Sequence, residues 1–136
     1  MGIRIEWGNA EKTVLYYHFD SVWTWDDFFS AKREAYDEIA TVPHKVGVIL
    51  ETPPDVRIPP SMLSNARSAL QNKHPNTEIV VIVIRQQFLR TMINVLLRIS
   101  VIAARSLQMA ANGDEALELV AQRMADVTIS KRPSTT

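Results

Sequence analysis

The chain has 136 residues, 46% hydrophobic and 22% charged, a composition expected of one soluble globular domain and not of a disordered chain. Fifteen basic residues balance fifteen acidic ones, so no net field draws the protein to nucleic acid or to an anionic membrane. The absence of cysteine removes disulfides, thiolate metal sites and a cysteine nucleophile, and it suits a reducing, cytoplasmic setting. The opening "MGIRIEWGN" has no apolar signal core, and Glu6 stands where a myristoylation signal needs Ser or Thr, so neither secretion nor acylation is expected.

In chain order, "IRIEW" (Ile3 to Trp7) alternates apolar and polar residues as a half-buried strand does. "GNAEKT" supplies turn residues, and "VLYYHFD" resumes strand chemistry, so the two runs predict an antiparallel hairpin. On the second run Leu15, Tyr17 and Phe19 share one face, and Val14, Tyr16 and His18 the other. A helix follows from Thr24, with Asp26 and Asp27 in its first turn and Trp25, Phe28, Ala35 and Ile39 as its apolar stripe. "KVGVILE" reads as a buried parallel strand.

The proline-rich "ETPPDVRIPPSML" leads into a helix carrying Met62, Leu63, Ala66, Ala69 and Leu70 at helical spacing. "EIVVIVI" is apolar on both faces and predicts a central strand. From Gln87 to about Ala104 runs a helix apolar round most of its circumference, with Thr91, Asn94, Arg98 and Arg105 as a narrow polar stripe. Asn94, Arg98 and Arg105 also interrupt the longest apolar stretch, and each buried charge would cost roughly 2.5–3.5 kcal/mol in a bilayer, so no membrane span is expected. "SLQMA" makes a short last strand. "NGDEALELVAQRM" makes a final helix with Leu117, Val120 and Met124 inward, followed by a polar, flexible tail over residues 126–136.

The order β-β-α-β-α-β-α-β-α predicts an α/β domain with a mixed, mostly parallel sheet of four or five strands and about four helices. That order, with stretches such as "WTWDDFFSAKREAYDEI", "PPSMLSNARSAL" and "VIVIRQQFLRTMINVLLRIS", resembles the STAS superfamily, the SpoIIAA-like anti-sigma-factor antagonist fold, over Ile3 to about Met124. The stretches look closest to a little-characterised bacterial branch. Phosphorylated members carry Asp-Ser-Ser/Thr-Gly-Leu at the helix start that Pro59-Pro60-Ser61-Met62-Leu63 occupies here. Ser61 and Leu63 keep the pattern, whereas Pro59, Pro60 and Met62 depart from it. The resemblance therefore implies a non-enzymatic module that binds a protein partner, with a degenerate phosphoswitch.

The expected partner surface is the loop and helix start holding Asp55, Arg57, Ser61, Ser64 and Arg67. The plainer account of Ser61 is an exposed or helix-capping hydroxyl, and the lesser one a phosphorylated or ligand-binding group. His18, Asp20 and Ser21 lie too close along one extended segment to form a triad, and no GxSxG elbow is present. His44 and His74 sit beside prolines without metal-ligand spacing, and with four glycines neither GxGxxG nor GxxxxGK occurs, so no metal, cofactor or nucleotide is expected. Trp23 is read as packed, with an exposed anchor as the lesser reading. Arg85, Arg90, Arg98 and Arg105 give only a weak signal for phosphate contact. The apolar surplus of the Gln87 helix suggests a homodimer. An alternative function is a small-molecule or lipid-binding domain, its apolar pocket on the sheet face that carries Val14 and Tyr16.

Overall fold

The computed structural model describes residues 2–70, 74–99 and 107–131, apart from the side chains of residues 63, 70, 96, 99 and 126–131. The strands are β1 (Ile3–Trp7), β2 (Val14–Phe19), β3 (Val46–Glu51), β4 (Thr77–Val83) and β5 (Leu107–Ala110). The helices are α1 (Trp25–Ala40), α2 (Met62–Leu70), α3 (Gln87–Ile99) and α4 (Gly113–Lys131). The predicted order of elements is the observed one. All five strands form one sheet in the order β1-β2-β3-β4-β5, antiparallel between the first two and parallel thereafter.

Local chemistry sets the turns and helix starts. In the β1–β2 connection the Asn9 side chain accepts from the Thr13 amide at 3.0 Å and donates to the Thr13 hydroxyl at 2.6 Å, closing the loop where Gly8 N–H donates to the Val14 carbonyl at 2.8 Å. Thr24 and Asp27 cap α1 reciprocally, each side chain accepting the other's amide at 3.0 Å. Asn112 accepts the Glu115 amide at the start of α4, at 2.9 Å. That helix runs to Lys131, past Met124, where the pattern places its end; no Gly or Pro interrupts the chain between them.

The period of two divides the sheet into two unlike faces. Leu15, Tyr17 and Phe19 of β2, Val46, Val48 and Leu50 of β3, and Ile82 of β4 meet the three crossover helices α1–α3. On the other face Val14, Ile49, Ile79, Val81, Val83 and Ala110 meet α4 alone. Helix α4 packs on β3, β4 and β5. The rest of that face, on β1 and β2, is polar and partly wet: His18 stacks on Tyr16 at 5.3 Å between ring centroids, and its Nε2 lies 3.3 Å from the Glu6 carboxylate.

One side-chain expectation is corrected. On α4, Ala116 and Val120 face the sheet, while Leu117 is 42% exposed. The cause is Gly47: a Cβ built there would lie 2.4 Å from Val120 Cγ1, so the missing side chain lets Val120 seat against β3 and fixes the rotation of the helix. Among its described residues, α3 buries only one side and leaves the apolar Phe88 and Val95 on the other. Leu89 and Ile93 are buried and Leu97 partly so, while Phe88, Thr91, Asn94, Val95 and Arg98 face outward. Arg105 lies outside the described residues.

Candidate functional site

The sheet face under α1, α2 and α3 is not completely filled. A cavity of about 130 Å³ lies between them, floored by Tyr17, Val48, Leu50, Val80 and Ile82. Its roof is rich in small side chains: Ala35 of α1, and Ala66 and Ala69 of α2. Alanine on a helix face either lets the helix approach or leaves space, and here it leaves space. The mark of it is Val80, which points to the covered side of β4 yet is only half-buried. Since Thr77 lies opposite Val46 and Thr52 follows β3, lining residues at the two ends are about six residue steps apart, roughly 20 Å along the strands. The void is long and thin.

At the end nearer Thr52 the walls are aromatic. Phe19, Trp23, Trp25 and Phe28 pack in succession, with centroids 5.0, 4.8 and 6.0 Å apart. Both tryptophans are therefore half-buried packing groups rather than exposed anchors. Trp25 Nε1 donates to the Pro60 carbonyl at 2.9 Å, whereas the buried Trp23 Nε1 has no hydrogen-bond partner among the described residues. At the other end stand Lys32, Tyr36, His74 and Thr77. Lys32 Nζ donates to the Ser68 carbonyl at 3.5 Å, and burial lowers its pKa. The His74 and Tyr36 rings meet edge-on at 4.7 Å. Tyr17 on the floor has its pKa raised by burial, so its phenol stays neutral.

The cavity thus lies on the opposite face from the one named in the sequence reading, where a second, more polar recess is bordered by Val14, Asn9 and His44 and by Leu117, Val120 and Met124 of α4. Val14 belongs to the face that α4 covers, and Tyr16 lines no part of the cavity.

The loop between β3 and α2 is a separate feature, held from several directions. Ser21 Oγ donates to Asp55 Oδ1 at 2.7 Å, and the Arg57 amide donates to the Ser21 carbonyl at 2.7 Å. Gln86 Nε2 donates to the carbonyls of Pro54 and Val56 at 2.7 and 2.8 Å. Arg85 bridges Glu51 at 3.1 Å and the Thr52 carbonyl at 2.7 Å, and Arg90 donates to the Ile84 carbonyl at 3.2 Å, so both arginines have structural partners. Asp55, Arg57, Ser61, Ser64 and Arg67 are all exposed along this loop and the outer side of α2.

Of the two plain accounts of Ser61, exposed or capping, the side chain takes the exposed one. Its backbone is left-handed, with φ 63°, where a capping residue is extended. Its carbonyl collects the start of the helix, accepting from the Asn65 amide at 3.1 Å and the Asn65 side chain at 3.0 Å. Its hydroxyl makes no hydrogen bond to a first-turn amide among the described residues. A left-handed non-glycine residue costs about 1–2 kcal/mol. Ser61→Gly is therefore expected to stabilise the protein by about 0.5–1 kcal/mol, and Ser61→Ala to leave it within about 0.5 kcal/mol, both read by urea denaturation. A loss near 1 kcal/mol for the alanine variant would restore the capping role.

The other sequence candidates take local partners. His44 Nδ1–H donates to the Lys45 carbonyl at 3.0 Å, and Ser21 is engaged with Asp55 rather than with His18. Among the described residues no cluster of His, Asp and Glu has metal-binding geometry, and no helix is long and apolar enough to cross a membrane. No family model, curated protein or solved structure matches the chain.

Proposed function

We propose that this protein is a binding domain for a small apolar or amphipathic molecule, held between the sheet and helices α1–α3. The observation that supports this reading is the cavity: about 130 Å³, apolar along most of its length, with Lys32, Tyr36, His74 and Thr77 gathered at one end. An unfilled void of that volume costs about 3 kcal/mol at roughly 24 cal/mol per Å³. That is a large share of the roughly 5–15 kcal/mol by which domains are stable, and a ligand filling the void recovers it. Binding also needs no new charge inside, since no charged side chain lies on the floor or at the aromatic end among the described residues.

The same aromatic end provides a readout. Titration with 1-octanol is expected to change the emission of Trp23 and Trp25 saturably and to raise the melting temperature, by an amount equivalent to about 2.7 kcal/mol at one hundred times Kd. Native mass spectrometry of protein from its own cells is expected to show a retained small molecule. The absence of both a saturable signal and a mass adduct would refute the reading.

A second reading, a STAS-like protein-interaction module, draws support from the clamped loop. Ser21, Gln86 and Trp25 hold it in one shape, and it presents Asp55 and Arg57 beside Val22, which is 65% exposed. Preorganisation of this kind lowers the entropic cost of docking a partner. A protein that co-purifies and is lost on Arg57→Glu would favour this reading over the cavity.

A further inference from the structure

The three tryptophans differ in what their N–H groups do. Trp7 Nε1 donates to the Glu38 carboxylate at 3.1 Å, and Trp25 Nε1 to the Pro60 carbonyl at 2.9 Å. Trp23 Nε1, in the wall of the cavity, is closed off from solvent and has no hydrogen-bond partner among the described residues. Its ring is enclosed by Phe19, Trp25 and Phe28, with centroids 5.0, 4.8 and 6.3 Å away, and none of those side chains carries an acceptor. Thr52, the polar residue at this end, already gives its hydroxyl hydrogen to the Val83 carbonyl. The Trp23 N–H is thus the uncommitted side-chain donor of the aromatic end among the described residues. A buried donor left in that state is costly, and a ligand that brings an acceptor removes the cost.

We infer that the ligand carries a neutral carbonyl group, as a ketone, aldehyde or ester does, which accepts the Trp23 N–H while the apolar remainder lies over Val48 and Val80. This assignment rests on the cavity reading above and adds the chemical class of the occupant. The chemistry of the aromatic end selects the group. An ammonium would meet a donor. A carboxylate would bury its charge among apolar rings, with no lysine or arginine at this end among the described residues. An alcohol brings a second polar hydrogen that needs an acceptor of its own. A carbonyl needs one donor, and the wall offers one. Reaching the nitrogen requires the indole to turn, since it is closed to a water-sized group as it stands. That turn breaks no hydrogen bond, whereas turning Trp25 would break the one to Pro60. Trp23 also lies in the connection between β2 and α1, between the exposed Val22 and Thr24. Trp23 is therefore the ring that yields, and Trp25 the one that stays. An apolar cavity of about 150 Å³ takes a benzene ring, so about 130 Å³ holds roughly six carbons.

The test compares 2-hexanone with 2-methylhex-1-ene, which has the same shape with a CH₂ group in place of the carbonyl oxygen. Both are titrated into the full chain by calorimetry. Trp23→Phe is expected to weaken the ketone by about tenfold more than the alkene, which has no hydrogen bond to lose. Trp25→Phe, at an indole already committed to Pro60, is expected to shift both compounds by the same factor. Circular dichroism checks that each variant is folded. A second readout needs no variant: the C=O stretch of 2-hexanone bound to the natural protein is expected below its frequency in hexane, the mark of a hydrogen-bonded carbonyl. Equal effects of Trp23→Phe on the two compounds, or a bound stretch at the hexane frequency, would overturn the carbonyl assignment and leave the cavity reading intact. Binding of neither compound would overturn both.

Discussion

Gly47→Val is expected to lower stability by roughly 2–3 kcal/mol, the cost of overpacking a filled interface. A Cβ at this position would stand 2.4 Å from Val120 Cγ1 and 3.2 Å from Cγ2, well inside contact distance. Val46 to Leu50 are buried throughout and pair with β2 on one side and β4 on the other, so β3 cannot shift. The strain falls on α4, which must rise from the sheet or turn about its axis. Valine's better strand propensity, worth up to about 1 kcal/mol, offsets part of the loss. Thermal unfolding would show a drop of about 10 °C, taking roughly 4 °C per kcal/mol for a domain of this size. A double-mutant cycle identifies the cause. Val120→Ala costs about 1–2 kcal/mol alone for lost burial, yet combined with Gly47→Val it should recover at least 1 kcal/mol of the sum. Strict additivity would show that the helix does not rest on Gly47.

The second large effect concerns the cavity. Val80→Phe places a ring where the helices stand away from the sheet, in the middle of the floor. If the void is the binding site, affinity for octanol should fall at least thirtyfold while stability holds or rises by about 1 kcal/mol. Filling an existing void recovers burial at about 25 cal/mol per Å² without displacing neighbours. The substitution therefore separates function from folding, which a large-to-small change in the same place does not. Loss of stability together with loss of binding would mean that the space is not available in solution. Unchanged binding would place the ligand elsewhere.

Much of the fold was legible because the residues repeat in register with their elements. "IRIEW" alternates and forms a strand, "VGVILE" is apolar on both faces and lies buried inside the sheet, and Thr24 with Asp27 starts a helix where the side chains predict it. The failures share a physical origin: each depends on the distance between elements rather than on any one of them. Leu117 and Ala116 fit an amphipathic helix equally well, and only the groove over Gly47 selects Ala116. Ser61 has the right residue type for a cap, but the rigid approach through Pro59 and Pro60, with Trp25 holding the Pro60 carbonyl, brings the chain in left-handed. The sequence reading placed its pocket on the face of Val14, where a recess is present, and did not anticipate the more apolar cavity on the other face. Ala35, Ala66 and Ala69 are compatible with close packing or with a gap, and sequence alone does not say which. Lys32 and His74 were not singled out, since one is an ordinary helix-surface residue by pattern and the other a loop residue beside a proline. The signal that could have found them is that Lys32 stands one turn from Phe28 and Tyr36 on a helix side that is otherwise apolar.

The strand order has a consequence for how the chain acquires this shape. Because neighbours in the sheet are neighbours in sequence, no strand is inserted between two that precede it. The hairpin, α1 and β3 already make a three-stranded sheet with its own covering helix, and each later crossover adds one strand to the growing edge. The loop closed at every step is short, and closure entropy grows only as about (3/2)RT ln n, so the search resembles successive local additions more than one long-range encounter. The floor of the cavity is laid down in the same sequence, from Tyr17 to Val48 to Val80, and α3 arrives last to complete the roof.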